Sequence, residues 1–333
     1  MTASRRSPRT DRRPPVQDRP MTQHTSHIHG FHHTGILTRD LDGLERTYRS
    51  FGFTLSPRSR HLLGEKAGQA PVPGCTANMC ALFGDSYIEL LGIVDESAPD
   101  PWHTKAMADE YEGFRILNFD SDDAEAVDRR LSGAGLRTSG VLGLERDVDT
   151  EEGTRTMRAR VVHVDPATTP EGYVGMAQHL TRRYVHQPRY LGHPNGAHGI
   201  DAVLMVADDA DGGTFDAIVD RYARVLEVEP RREGALTVLE MKAGRLEIVR
   251  ASAAGDVLPG EPAPAASYLA AMTILVSDVG AARTLIEDSG TATQTTQDGF
   301  FVSARDAYGT GLFFTDRGDR PGRGVQGARG VAR

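Results

Sequence analysis

A histidine and a glutamate raise the chemical question in this chain. His33 lies in an extended-looking run, Phe31 to Thr38, that is followed by Asp40 seven residues on, and Glu89 lies in the run Tyr87-Ile88-Glu89-Leu90-Leu91. An ionised carboxylate among such neighbours costs several kcal/mol if it is buried alone, so metal ligation, an ion pair or solvent exposure must account for it. A His and a Glu that face one another inside a sheet groove suggest a metal site, and Glu89 is also a candidate catalytic base. His33 belongs to the cluster His24, His27, His29, His32 and His33, which in isolation reads as a solvated terminal segment. Its place on a strand and its spacing to Asp40 single it out. Alternation turns His32 to the opposite face, and His29, just before Gly30, falls outside the strand. His61 and Asn78 fall on neighbouring strands and can hydrogen-bond a substrate carbonyl or hydroxyl, although His61 can equally end its strand at the surface. His193-Pro194-Asn195-Gly196 reads as a turn. Cys75 and Cys80 read as buried thiols, with no His or helix start beside them.

The elements that would position these residues recur. A strand ending near Asp, a helix and further strands closing with an apolar one appear four times, at a spacing of roughly 70 to 90 residues, longer than a solenoid period. The first copy has helical spacing at Leu41, Leu44, Tyr48 and Phe51, stopped by Gly52, and then strands at Thr54 to His61, Thr76 to Phe83 and Ser86 to Ile93. The second opens at Phe114 to Phe119, has a helix through Val127 and Leu131 to Gly133, and closes at Tyr173 to Leu180. The third places Phe215, Ile218, Tyr222 and Val225 on one helix side and ends at Arg245 to Val249, and the fourth runs from Leu269 to Asp316. Residues 95–102, 182–195 and 254–266 read as linkers. Paired modules give two domains, 27–185 (modules 31–94 and 113–182) and 196–316 (modules 199–252 and 267–316), between a basic tail at 1–26 and a tail at 317–333. Apolar-poor tails cannot repay their ordering entropy, so both read as disordered, and removing Met1 to Pro20 should leave folding unchanged. Met21 is a candidate second start.

At 333 residues, 39% of them hydrophobic, the chain can bury a sizeable core. The net charge of −8, with arginines concentrated at the ends, argues against a nucleic-acid surface and for a small-molecule partner. Neither a secretory signal nor an apolar run long enough to span a membrane is evident. Two cysteines fit a reducing cytoplasm and exclude a four-cysteine zinc site.

The β-α-β-β-β repetition, with Gly84-Asp85-Ser86-Tyr87-Ile88-Glu89-Leu90-Leu91 as a closing strand, resembles the vicinal oxygen chelate superfamily. Within it the chain looks most like the glyoxalase-like branch, on Phe51 to His61, Thr76-Ala77-Asn78, Gln178-His179 and His193 to Ala197. The resemblance implies an α+β fold of four modules paired into two glyoxalase/bleomycin-resistance/dioxygenase-like domains. It further implies metal ligands in the first and last strands of paired modules: His33 and Glu89 in the first, then His179 or Gln178, with His179 favoured because imidazole suits Fe, Mn, Ni or Zn better than an amide. Arg115, seven residues before Asp122, stands where a second histidine is expected; it is either a carboxylate clamp on substrate or an ordinary salt-bridging arginine. Gln178, if not a ligand, joins His61, Asn78 and Arg115 as a substrate-binding candidate. In the second half Asp201, Ala271, Glu247 and Leu312 hold the corresponding positions, which argues against a dioxygenase site there and makes that half a structural or dimer-forming partner. The expected function is a metal-dependent enzyme acting on a small dicarbonyl, enolic or catecholic substrate by isomerase, lyase or dioxygenase chemistry. The rival class is a binding protein that sequesters a drug-like compound without turnover.

Overall fold

The computed structural model describes residues 27–63 and 72–316. The expected tails, the choice between Met1 and Met21 and the effect of removing Met1 to Pro20 lie outside the described residues. Two eight-stranded sheets carry the fold. The first unit comprises β1 (Ile28–Thr38), α1 (Leu41–Ser50), β2 (Ser59–Leu63), β3 (Val72–Leu82) and β4 (Tyr87–Ile93). A short helix, α2 (Thr104–Glu110), leads to the second: β5 (Gly113–Ser121), α3 (Ala124–Gly133), β6 (Leu142–Thr150), β7 (Gly153–His163) and β8 (Tyr173–His179). The third holds β9 (Ala197–Ala207), α4 (Thr214–Leu226), β10 (Arg231–Glu233), β11 (Leu236–Glu240) and β12 (Arg245–Arg250), followed by α5 (Ala254–Val257). The fourth holds β13 (Tyr268–Val276), α6 (Val279–Asp288), β14 (Gln294–Thr295), β15 (Gly299–Val302) and β16 (Gly311–Thr315). The strand order β2-β3-β4-β1-β5-β8-β7-β6 repeats in the second sheet as β10-β11-β12-β9-β13-β16-β15-β14. The α+β class and the four β-α-β-β-β modules are therefore those expected.

The aspartate that marks the repeat is a helix cap. Asp40, Asp123 and Asp278 each accept the backbone N–H three residues on, from Gly43, Ala126 and Ala281, and so satisfy an otherwise orphaned donor. The second cap is Asp123 rather than Asp122, whose carboxylate takes His27 and His29 instead. Each helix buries one stripe: Leu41, Leu44 and Tyr48 on α1, and Phe215, Ile218, Tyr222 and Val225 on α4. The helix-facing sides of both sheets contribute to one apolar cluster that includes Phe31, Phe114, Phe119, Val203 and Met272.

The opposite faces differ. The second sheet's groove is filled by Leu204, Val249, Tyr268, Phe301 and Phe313, with Val257 and Leu258 inserted from 254–266, a segment expected to be a plain linker. The first sheet's groove sets polar side chains, His33, Asn78 and Glu89 among them, between one apolar cluster that includes Leu37 and Leu91 and another that includes Cys80 and Leu82. Its edge strands are tied together where Arg146 Nη1 on β6 donates to Ser59 Oγ on β2 at 3.1 Å.

The strand expected from Thr54 begins only at Ser59, because Thr54 is committed to the connector between the sheets. Its N–H donates to His193 Nδ1 (3.0 Å) and its hydroxyl to the Gly192 carbonyl (2.6 Å). Asn195 continues the connection, donating to the Phe51 carbonyl (2.8 Å) and accepting from the Ala197 N–H (3.0 Å). Gly196 follows at φ 71°, where a Cβ would meet Ser277 Oγ at 2.5 Å. Among the described residues no helix is long and apolar enough to cross a membrane.

Candidate metal and substrate groove

The groove of the first sheet takes its shape from the central antiparallel pair β1 and β5. Across it Phe31 faces Phe119 and His33 faces Asn118, leaving His32 as an extra residue in a β-bulge. Alternation therefore fails locally. His32, expected on the other face, lies beside His33 with the two Nδ1 atoms 2.7 Å apart. Only one proton fits between nitrogens that close. Asn118 Nδ2 donates to His33 Nε2 at 3.0 Å, so His33 carries its proton on Nδ1 and donates it to His32, and the Nε2 lone pair is engaged by the amide.

Glu89 sits diagonally across β4, since Gly35 is its direct partner on β1 and His33 pairs with Tyr87. His33 Nε2 is 3.9 Å from Glu89 Oε2, and His61 Nε2 is 3.8 Å from Oε1. Asn78 Nδ2 donates to the same Oε1 at 2.6 Å. His61 is held by Thr76 Oγ1 at 2.8 Å and meets Trp102 edge-on. Four of the residues singled out from the sequence thus come together: His33, Glu89, His61 and Asn78.

Burial governs the charges. It lowers His33 to about 3, with help from His163 and His61, and lowers His61 to about 4, with help from Arg146. Both imidazoles are neutral at pH 7. Burial also raises Glu89 above the ordinary carboxylate range, against the opposing pull of Asn78 and Arg146.

The remaining candidates lie elsewhere. Gln178 faces α3, donating to the Asp122 carbonyl and accepting from the Ala124 N–H at 3.2 Å. Val174 and Met176 share its side of β8 and are core. His179 faces the groove but packs edge-on to His32 at 4.4 Å and to His186 at 5.9 Å, so that it reaches His33 only through His32. Arg115 is also a bulge residue, where the β1 pairing shifts between Ile116 and Phe114; it is buried, donates to Glu110 Oε2 at 2.8 Å and lies 3.8 Å over the Tyr111 ring.

Sequence reasoning missed Asn118, His163 and Arg146. Counting back from Asp122 gave Arg115 the place opposite His33, whereas the register gives it to Asn118. His163 borders the groove beside Gly175, where a Cβ would meet Asn118 Oδ1 at 2.5 Å and His163 Nδ1 at 2.8 Å, and that Nδ1 is buried without a partner. Arg146 was signalled by the alternation of Leu144, Arg146 and Val148, all partly buried between exposed neighbours.

His33 Nε2 and Glu89 Oε2 are separated by a distance that two bonds of roughly 2.0–2.2 Å to one ion can span, and a second neutral imidazole, His61, faces the other carboxylate oxygen. As the side chains stand, no three His, Cys, Asp or Glu among the described residues converge on one point. The residues fit a divalent ion as a His–Glu pair with a third donor adjacent, provided Asn118 gives up its hydrogen bond to His33 Nε2. The second sheet offers no counterpart. There Arg245 donates to Glu247 Oε1 (2.7 Å) and Asp201 Oδ2 (3.2 Å), a guanidinium between carboxylates at the corresponding strands.

Comparison with known proteins places this geometry in context. No functionally curated protein matches the sequence. The structure is similar to a hypothetical protein from Staphylococcus aureus, with 14% identity over 85% of this chain and 98% of that one and a TM-score of 0.59. It is similar to a mutant of 4-hydroxymandelate synthase from Streptomyces coelicolor, with 12% identity over 91% and 94% of the chains and a TM-score of 0.55. It also resembles a fusion of a xylose isomerase-like TIM barrel with 4-hydroxyphenylpyruvate dioxygenase, with 10% identity over 88% of this chain and 50% of that one and a TM-score of 0.56. These likenesses establish the fold. A family profile described as a glyoxalase-like domain matches residues 31–226, well over half of the sequence. The chain belongs to the glyoxalase-like domain family of the vicinal oxygen chelate superfamily.

Proposed function

We propose that the chain is an enzyme that binds a divalent metal ion in the groove of its first sheet and moves a proton at the carbon beside a carbonyl of a small, oxygen-rich substrate. His33 Nε2 and Glu89 would hold the ion, with His61 as the third donor. One observation carries this reading: Glu89 is 8% exposed, and among the described residues no cation lies within ion-pair distance of it, its two near neighbours being neutral imidazoles. A buried carboxylate so placed needs a partner or a proton. The ion would supply Lewis-acid stabilisation of a carbonyl or enolate oxygen. The chain's own groups do the rest. Asn78 orients Glu89 through its 2.6 Å hydrogen bond, and Glu89, on leaving the ion, would accept and return the carbon-bound proton as a base strengthened by burial. Residues 27–185 form the working domain in this reading, and 196–316 support it.

A sequestering protein is the second reading, favoured by Asn118 and Gly175, which stand across from His33 where an imidazole or carboxylate would complete the ligand set. Proton–deuteron exchange by NMR on a panel of 2-oxoaldehydes, 2-oxoacids and catechols, with oxygen uptake followed in parallel, separates the readings. Exchange without oxygen uptake, lost in Glu89→Gln, is the expected result. Stoichiometric oxygen uptake would transfer the site to dioxygenase chemistry, and tight binding without either would leave the sequestering reading.

A further inference from the structure

Arg146 is the groove's uncommitted cation. It stands on β6 between Leu144 and Val148, which face the apolar wall formed by Cys80, Leu82, Met157 and Ala159, so its guanidinium enters the groove from the strand opposite β3 and β4. Its hydrogen bond from Nη1 to Ser59 Oγ at 3.1 Å tethers one nitrogen and leaves the remaining donors available. Among the described residues it pairs with no carboxylate. Arg182, the other groove-side arginine, is by contrast neutralised by Asp120. The charge of Arg146 acts on Glu89, His61, Cys80, Tyr87 and His179, residues distributed along the whole groove.

We infer that Arg146 is a specificity-determining residue that holds a carboxylate of the substrate, placed beyond the oxygens that face His33 and Glu89. This rests on the groove being the reaction site. A tethered guanidinium with its other N–H groups free is suited to a planar anion, which it can grip through two parallel hydrogen bonds. No carboxylate among the described residues lies within ion-pair distance of the Arg146 guanidinium, and Glu89, the groove's own carboxylate, is bound instead by Asn78. The substrate class narrows accordingly, from oxygen-rich small molecules to those with a carboxylate at one end and a carbonyl or hydroxyl pair at the other.

The test compares 2-oxoglutarate with its 5-methyl ester, which keeps the open chain and the 2-oxo group but has one charge fewer. Calorimetric titration of the full chain should show the acid binding roughly 10- to 100-fold tighter, the difference expected of one charge-assisted hydrogen-bonded contact. Arg146→Gln should abolish that preference and Arg146→Lys should keep most of it, with melting temperature and bound metal unchanged in both. A preference that survives Arg146→Gln, equal binding of acid and ester to the wild type, or no binding of either at millimolar concentration would each overturn the assignment. Metal content, measured on the same samples, reports separately on His33 and Glu89. A chain without metal that still discriminates by charge would retain the role of Arg146 and remove the metal reading.

Discussion

Replacing Glu89 by Gln should change stability in opposite directions without and with a divalent ion. Gln keeps the volume and an oxygen to accept from Asn78, but removes a charge that is 8% exposed and lacks a cationic partner among the described residues. Burying an unpaired carboxylate costs several kcal/mol, of which a charge-assisted hydrogen bond returns about 1.5–3 kcal/mol, so the metal-stripped variant should gain about 1–3 kcal/mol at neutral pH. Each kcal/mol corresponds to about 2–4 °C in melting temperature for a domain of 150–250 residues. Burial raises the folded pKa of Glu89 above its unfolded value. Between those values the folded state binds more protons than the unfolded one, so the wild type loses stability as pH rises through that window and carries the full penalty above it. The advantage of Gln should therefore be largest at about pH 8 and fade towards the ordinary carboxylate range. An added ion at about 1,000 times its dissociation constant would stabilise the wild type by about 4.1 kcal/mol and bypass the variant, reversing their order. Thermal melts after chelator dialysis, at several pH values and then with Mn²⁺, read all three effects. A stripped Glu89→Gln protein that melts below the wild type at pH 8, or a gap that does not narrow on acidification, would refute the reasoning.

Three further outcomes follow from the same structure. Arg245→Met should cost about 3–5 kcal/mol in urea unfolding, because Asp201 and Glu247 lose the guanidinium they share, while bound metal stays constant. Asn195→Ala should cost about 1–3 kcal/mol, leaving the Phe51 carbonyl and Ala197 N–H without their side-chain partner, as checked by the same unfolding experiment. Burial pushes the Cys80 thiol up to about 12 and raises Cys75 as well, so a thiol reagent at pH 8 should label neither in the native chain and both in denaturant; rapid native labelling would contradict the buried-thiol reading.

The repeat was legible because each module needs a helix cap and an apolar helix stripe, and both leave local signatures, Asp40 before Leu41 and Asp278 before Val279 among them. His33 and Glu89 were legible for a similar reason: both lie on strands next to such a cap or inside an apolar run. What escaped depends on long-range register. A bulge at His32 puts two consecutive side chains in the groove, and a second at Arg115 breaks the count that linked it to a ligand position. No local pattern announces either bulge, because an extra residue is accommodated only against a specific partner strand. His179 does face the groove, as the core positions of Val174 and Met176 require, yet strand length carries it past Glu89 to His32 and His186. Arg146 needed the recognition of β6, whose exposed alternate residues give it little apolar signal.

The most direct test of the metal assignment is the metal content per chain, by mass spectrometry, of wild type, His33→Ala and Glu89→Gln proteins purified side by side without chelator. The account predicts about one divalent ion per wild-type chain, held by the single groove whose donors fit the bond lengths, and a large loss in each variant with the fold intact by circular dichroism. Full metal content in both variants, or a wild type that takes up no divalent ion even when supplied in excess, would contradict it.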